Sequence, residues 1–538
     1  MTHLRLAFKV TTTLTLAAAM WAARGWLMEP ALALIAGVAL CATMAALWPS
    51  DRLRAHDAAR RAEEQRSGGR SRPGSSLEDV GLAGFIFEHP SRVMVLSFLI
   101  LCALGALALS LPVCAVGEPP APLDAAFTAV SAACVTGLGV VDVPSVFNLG
   151  GQLTLLILIQ VGGLGVMAFS VVAVELLKRR LSVSQERAAA DLIGAESAAD
   201  LRGALERVLW VTGVTEGAGA LALTLGFWFE GDGLLEGLWR GLFTSVSAFC
   251  NAGFALQSSS LVPYAESPYL LLITSVIIAV GGIGPIVALA LHDAFRRDLS
   301  ASPARRLFAR ATWRRPLSLH VRLVLWTSAA LTLLPALFIA AVEWNGALAH
   351  LTPLHRLTNA LFQSVTLRTA GFNSIDLTAL HPATWTLTLF VMFVGGSPGS
   401  TAGGVKTTTI AVVLLAVAAV ARGRERVEVF GRTLTAGAVM RAGALCTLSV
   451  FGVGGALMAL QLTQRIPLDV ALFEVVSALA TVGLSTGGTA ALDAVGKVII
   501  MACMFAGRVG PLTLFVLFTR QARVAETRRY PDEPLPIG

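Results

Sequence analysis

The chain has 538 residues, of which 55% are hydrophobic and only 14% charged, and its mean hydropathy is +0.72. Such a composition lies outside the range of soluble globular domains, and long apolar runs recur from end to end, so the bilayer is its solvent. The formal charge of +7 would suit a nucleic-acid binder, but the placement of the charges excludes that role.

Residues 1–50 hold two apolar runs, near 7–21 and 29–48, read as two extra N-terminal transmembrane helices. A cleaved signal peptide is the competing reading of the first run, but no small-residue cleavage site followed by a soluble region is present. Residues 51–84 form a basic cytoplasmic linker, with Arg52, Arg54, Arg60, Arg61, Arg66, Arg70 and Arg72 ahead of a Gly/Ser/Pro stretch.

Beyond the linker one unit recurs four times, over 85–180, 200–295, 318–422 and 438–520, before a cytoplasmic tail at 521–538. Each unit has an apolar helix, a half-length helix, a glycine stretch and a second apolar helix. The long helices are expected near 92–113 and 152–177, 207–229 and 268–291, 321–343 and 384–420, and 440–461 and 494–519. With the N-terminal pair that makes about ten spans of bilayer length.

The four glycine stretches read Cys134-Val135-Thr136-Gly137, Cys250-Asn251-Ala252-Gly253, Arg368-Thr369-Ala370-Gly371 and Ala480-Thr481-Val482-Gly483. Their glycines are 116, 118 and 112 residues apart, a period that marks one copied unit. Phe127, Phe243 and Phe473 stand ten residues before their glycine, and Ser131, Ser247 and Ser477 six before. The third copy is one residue shorter, with Phe362 and Thr366 in those roles.

Lys and Arg set the orientation. Segments 51–80, 178–207, 292–322, 421–442 and 520–538 hold 30 of the 41, and they alternate with the glycine stretches. The stretches and their flanks carry acids instead, among them Asp124, Asp142, Glu236, Asp376 and Asp493. The basic loops are therefore cytoplasmic, the glycine stretches open outward, and the positive charge reports topology.

Irregular backbone at membrane depth survives only where it is buried or lines a wet cavity. Four such stretches about one axis can present rings of backbone carbonyls that replace the water shell of a cation. Glycine allows this because it adopts positive φ without a Cβ clash. Asp142 and Asp376, each five residues past its glycine, form an acidic outer mouth that concentrates cations.

These motifs, above all Ser131 to Asp142 and Ser364 to Asp376, resemble the Trk/Ktr/HKT superfamily of cation transporters over about 85–520. The resemblance implies an all-α membrane protein with four helix–pore-loop–helix repeats around a central pore. It implies that the backbone of Val135, Thr136, Gly137, Asn251, Ala252, Gly253, Thr369, Ala370, Gly371, Thr481, Val482 and Gly483 is the selectivity filter. A glycine in all four loops implies K⁺ as the transported ion, held by filter carbonyls, with no organic cofactor in this chain. It also implies a homodimer and a cytosolic RCK-type nucleotide-binding subunit, like TrkA or KtrA, in a bacterial inner membrane. The repeats are KtrB-like, whereas the N-terminal pair departs from an eight-span topology and is TrkH-like.

Each second helix carries a glycine-rich site: Gly162-Gly163, Gly281-Gly282, Gly395-Gly396 and Gly507-Arg508. Arg508 thus stands where the other copies have glycine, and an arginine in an apolar helix must face protein or water. It is expected to act below the filter as a barrier or as an anchor. In the third copy, 397–409 is too polar and glycine-rich to continue a membrane helix. It resembles the family's intramembrane gating loop, with Gly399, Thr401, Gly403, Gly404 and Lys406 as gate residues. A nucleotide P-loop fails, because Val405 separates Gly404 from Lys406 and no strand precedes. Arg368 is expected to point away from the axis, with Glu474 as a candidate partner.

The seven cysteines are scattered through apolar runs and form neither a disulfide framework nor a zinc site. The alternative function is a Na⁺-permeable or Na⁺/H⁺-coupled secondary transporter. Such folds show inverted repeats and midplane carboxylates, whereas these repeats run in one orientation without an acidic cluster. An enzyme would need a soluble catalytic domain, which this composition does not contain.

Overall fold

The computed structural model describes residues 90–178, 199–285, 287–291 and 317–510. The expected N-terminal helix pair, the basic linker and the C-terminal tail lie outside the described residues, as do most of the basic loops after the first two units.

The helices follow one order four times. The first unit contains α1 (Pro90–Leu109), α2 (Pro122–Ala133) and α3 (Leu149–Lys178). The second contains α4 (Ala199–Phe229), α5 (Leu234–Cys250) and α6 (Pro268–Ile283). The third contains α7 (Leu319–Val342), α8 (Pro353–Thr366) and a split pair, α9 (Pro382–Phe393) and α10 (Thr407–Ala421). A short hairpin, β1 (Glu428–Val429) with β2 (Arg432–Thr433), leads into α11 (Ala436–Thr463), α12 (Leu468–Leu479) and α13 (Ala494–Val509).

Length separates two kinds of helix. The leading helices α1, α4, α7 and α11 have 20, 31, 24 and 28 residues. At ~1.5 Å per residue each reaches ~30 Å or more, enough for the hydrocarbon core. The half-length helices α2, α5, α8 and α12 have 12, 17, 14 and 12 residues. Their ~18–26 Å falls short of a full crossing. Proline opens α2 and α8 at a position whose N–H has no helical partner, and Asp124, Glu236 and Asp469 sit in the first turns of α2, α5 and α12, where the helix dipole favours acid.

The half-helices are the interior. Phe127, Phe243, Phe362 and Phe473, one per half-helix, are all fully buried. The core joins neighbouring units: Phe127 and Ala133 of α2 pack with Ala471 and Val475 of α12, and Phe249 of α5 with Phe362 of α8. On the outside, Leu107, Leu221, Leu337, Phe390, Phe451 and Leu462 are exposed on the long helices and α9. An apolar exterior around a polar-lined interior is what a lipid solvent permits.

The second helices differ after their glycine pairs. Gly284 closes α6 at φ +85° and Gly510 closes α13 at φ +92°, each followed by proline. The second helix of unit three is interrupted within 384–420. It breaks from Val394 to Lys406, so the irregular segment starts three residues before the expected 397 and ends three before 409. Thr407, Thr408 and Thr409 form the first turn of α10, because the Lys406 carbonyl accepts from the N–H of Thr409 and Ile410.

Candidate functional site

Each half-helix ends in the same backbone device. Val135, Asn251, Thr369 and Thr481, two residues before their glycines, have φ of +56°, +59°, +66° and +50°. The glycines follow at +93°, +68°, +78° and +94° for Gly137, Gly253, Gly371 and Gly483. For non-glycine residues this region costs ~1–2 kcal/mol each, more readily borne by Asn251 than by the β-branched Val135, Thr369 and Thr481. Strain repeated at four equivalent points is imposed by the site.

The turns are held from behind. In units one, two and four the N–H before the glycine returns to the carbonyl five residues earlier: Thr136 to Ser131, Ala252 to Ser247, Val482 to Ser477. This is the 6→1 bond of a Schellman cap. In unit three Ala370 reaches Thr366 across only four residues. The missing residue is absorbed in the cap, and glycine keeps its place. The hydroxyls assist: Ser131 Oγ accepts from Gly137 N–H at 3.0 Å and Ser477 Oγ from Gly483 N–H at 3.1 Å. Thr366 Oγ1 accepts instead from Phe372 N–H at 2.9 Å, one residue past the glycine.

The four glycines close a ring. A Cβ built on Gly137 would press on the carbonyl oxygen of Ala252 and stand 3.1 Å from Gly253 Cα. One on Gly253 would stand 3.0 Å from Ala370 O and 2.9 Å from Gly371 Cα. One on Gly371 would stand 2.5 Å from Val482 O and 3.3 Å from Gly483 Cα. One on Gly483 would press on Thr136 O and stand 3.1 Å from Gly137 Cα. The order runs one, two, three, four and back to one, and the carbonyls of Thr136, Ala252, Ala370 and Val482 gather within it. Around the ring, the side-chain polar atoms of Thr136, Asn251, Thr369 and Thr481 are buried with no protein partner. Such groups are rare in native interiors and call for a polar guest.

The break in unit three lies against this ring. Its neck is tied by Gly395 N–H to Val405 O at 2.9 Å and Thr407 N–H to Gly396 O at 3.0 Å, with Gly399 and Gly404 supplying the positive-φ turns. Ser397, Ser400, Thr401 and Ala402 are buried. Thr401 Oγ1 donates to Phe249 O at the end of α5 at 3.0 Å, and Ser397 N–H donates to Gly282 O at 3.0 Å. A Cβ on Gly403 would stand 2.7 Å from Ala480 O, so the segment reaches the start of the fourth stretch. Lys406 Nζ donates to the segment's own Ala402 O at 2.6 Å.

Arg508 clamps this segment. The residue is 4% exposed, and its guanidinium donates to Thr401 O and, at 2.8 Å, to Gly162 O of α3. It thereby joins units four, three and one. Gly162, Gly281 and Gly507 meanwhile let their helices abut the carbonyls of Ala133, Phe249 and Leu479, where the half-helices end.

Arg368 turns off the axis, donating to Thr332 Oγ1 at 3.3 Å and Ser328 Oγ at 3.1 Å of α7. Its expected partner is corrected. Glu474 accepts from Ser485 O–H at 2.7 Å, from Thr486 N–H at 3.1 Å and from Thr489 O–H, and so holds the loop after the fourth stretch. In the loops past the glycines Asp142 accepts from Ser258 Oγ of unit two at 2.8 Å, while Asp376 caps its own turn through Thr378. Both carboxylates are exposed. Two further links are not legible in the sequence: Lys497 of α13 pairs with Asp124 of α2 at 2.5 Å, and Asp493 caps α13 through Gly496 N–H at 2.8 Å. Lys497 is legible only as a charge at the start of an apolar run, and nothing in the sequence names its partner. Hydrogen bonds from Gly496 N–H and the Gln464 amide hold the Asp493 carboxyl below its usual range.

Long apolar helices around four buried half-helices, with buried polar atoms at their tips, mark an all-α membrane protein. The chain belongs to the TrkH family, cation transport proteins, whose family model matches residues 85–526. It is 36% identical over 458 residues to the potassium/sodium uptake protein NtpJ of Enterococcus hirae, covering 84% of this chain and 97% of that one. It is 35% identical to the Ktr system potassium uptake protein B of Bacillus subtilis, over 82% and 95% of the two chains. The crystal structure of the potassium transporter TrkH from Vibrio parahaemolyticus superposes with a TM-score of 0.64 at 19% identity, over 91% of this chain and 96% of that one, a likeness of fold.

Proposed function

We propose that the protein takes up potassium through a pore on this axis, with the four glycine stretches as its selectivity filter. The observation that carries the reading is the closed ring of Gly137, Gly253, Gly371 and Gly483 with a carbonyl of each neighbour between them. Backbone oxygens held by capped helix ends replace the hydration shell of a weakly hydrated cation. The half-helices aim their C-terminal, partially negative ends at the same place. The domain division into four pore repeats follows, with the segment from Val394 to Lys406 as gate and Arg508 as its lock. The names of the two relatives, both potassium uptake proteins, agree with this reading.

The working assembly in this reading is a homodimer in a bacterial inner membrane, basic loops cytoplasmic, governed by a cytosolic RCK-type nucleotide-binding ring. Sodium permeation is the second reading, favoured by the potassium/sodium activity in the name of the Enterococcus relative. Rb⁺ uptake by the reconstituted protein, with Na⁺ as competitor, separates them. The first reading expects Rb⁺ accumulation that excess Na⁺ barely reduces, and equal competition by Na⁺ rejects it.

A further inference from the structure

Among the described residues Glu216 and Glu343 are buried acids that neither the filter nor the gate uses, and Glu216 alone of the two keeps an unpartnered carboxyl oxygen, since Glu343 accepts from the N–H of Ala347 and His381. Glu216 lies mid-way along α4, on the stripe with Thr212, Ala220 and Leu223 that faces the other helices, and is 9% exposed. Its Oε2 accepts from Gln160 Nε2 of α3 at 3.0 Å. The same Gln160 accepts, through Oε1, the thiol of Cys250 at 3.5 Å. Cys250 is the last residue of α5 and directly precedes Asn251. Glu216 is therefore two hydrogen bonds from the second glycine stretch. Ser245 Oγ of α5 also donates to the Glu216 carbonyl at 2.8 Å, which pins that turn of α4 to the same half-helix.

The other carboxyl oxygen, Oε1, is buried without a protein partner, and so is Thr212 Oγ1 one helical turn earlier on the same face. No described cation pairs with the carboxylate. On α5, Arg240 is engaged with Asp232 and Glu236 toward the outer end, at 2.9 and 2.7 Å, leaving Cys250 as the titratable group near Glu216. Helix α6 brings Tyr269, which donates to Ala222 O at 3.1 Å. Against α3 lies Arg508 of α13, bound to Gly162 O two residues beyond Gln160. Along α4 itself the next charged residue is Arg207, nine positions away.

A bare carboxylate at bilayer depth is costly and marks a functional site unless a counter-ion meets it. One carboxyl oxygen, one hydroxyl and one amide are too few oxygens for an alkali cation, whereas a proton needs a single oxygen. We propose that Glu216 is a proton-binding site that tunes the second filter stretch through Gln160 and Cys250. This rests on the potassium-uptake reading for its effect but not for its existence. The proton adds to Oε1, which leaves Oε2 free to keep the Gln160 bond. Its loss places a negative charge beside the filter, strengthens the hold on the Gln160 amide and raises cation affinity.

The test compares full-length wild type, Glu216→Gln and Glu216→Asp in vesicles. Infrared difference spectra at about neutral pH should show a carboxylic-acid C=O band that is absent from Glu216→Gln. Identical spectra overturn the proton site. In Rb⁺ uptake from roughly pH 5.5 to roughly pH 8.5, apparent affinity in wild type should rise about threefold or more toward high pH. Glu216→Gln should stay at the low-pH value throughout, and Glu216→Asp should restore a pH dependence. Superimposable profiles for wild type and Glu216→Gln overturn the link to the filter. If none of the three transports Rb⁺, the potassium reading fails, while the infrared band still decides whether Glu216 holds a proton.

Discussion

At the residue scale, the ring leaves no space for a side chain at any of its four glycines. Gly371→Ser forces a Cβ to within 2.5 Å of Val482 O, so neighbouring backbone must shift. Discrimination between K⁺ and Na⁺ should fall, by about tenfold if the carbonyl ring loses ~1.4 kcal/mol of differential binding; Rb⁺ uptake with Na⁺ competition reads this directly. Glu474 has the opposite character, a buried acceptor with three donors aimed at it. Glu474→Gln replaces an acceptor by a donor against fixed hydroxyls and should cost about 1–3 kcal/mol, read as a lowered melting temperature in detergent. At Asp493 the sign follows from its lowered pKa. Its cap is complete above the usual carboxylate range and is lost as pH falls through the depressed value. Asp493→Asn should therefore flatten the acid limb of a melting-temperature profile, and two parallel limbs would reject the cap.

At the element scale, the broken helix of unit three matters most. Its polar segment is held by the carbonyls of Phe249 and Gly282, by Arg508, and by contact with the fourth stretch. All of these partners come from other units, so the segment is a bridge between units two and four against the ring. Deleting 398–405 should raise Rb⁺ flux in the absence of any regulatory partner, and an unchanged or silent pore rejects the gate. Arg508→Gln, which keeps a donor but removes the second arm of the fork, should move flux in the same direction by a smaller factor.

At the scale of the whole molecule, neighbouring units hold each other, and the closing contact of unit four on unit one is both apolar and ionic. Phe127 and Ala471 share one core cluster, and Lys497 meets Asp124 in addition. The pair is partly exposed, with side chains 18% and 22% accessible. A double-mutant cycle on Lys497→Met and Asp124→Asn should therefore return a coupling of only ~1 kcal/mol or less. The apolar cluster supplies most of the closure. A coupling several times larger would place the ion pair at the centre of assembly.

The periodicity of the four stretches, the break in the third second-helix and the alternation of basic loops with glycine stretches were all legible in residue order. They rest on local physics: glycine in place of a side chain, prolines and polar runs that end helices, and charge placed against a membrane. Arg368 was legible in part, since a cation in a stretch read as a cation path is expected to turn away, but its partner was not. Glu474 and Arg368 face different elements, and only the packing of α7 against α8 supplies Ser328 and Thr332. Glu216 escaped for the same reason. A single acid in an apolar helix gains meaning from the glutamine and cysteine that two other helices bring beside it. The sequence by itself determined what recurs, because the repeat and its glycines are written in the chain. Only the packing of the chain closes the four glycines into one ring and seats Arg508 on the segment beside it, because those contacts join residues more than a hundred positions apart.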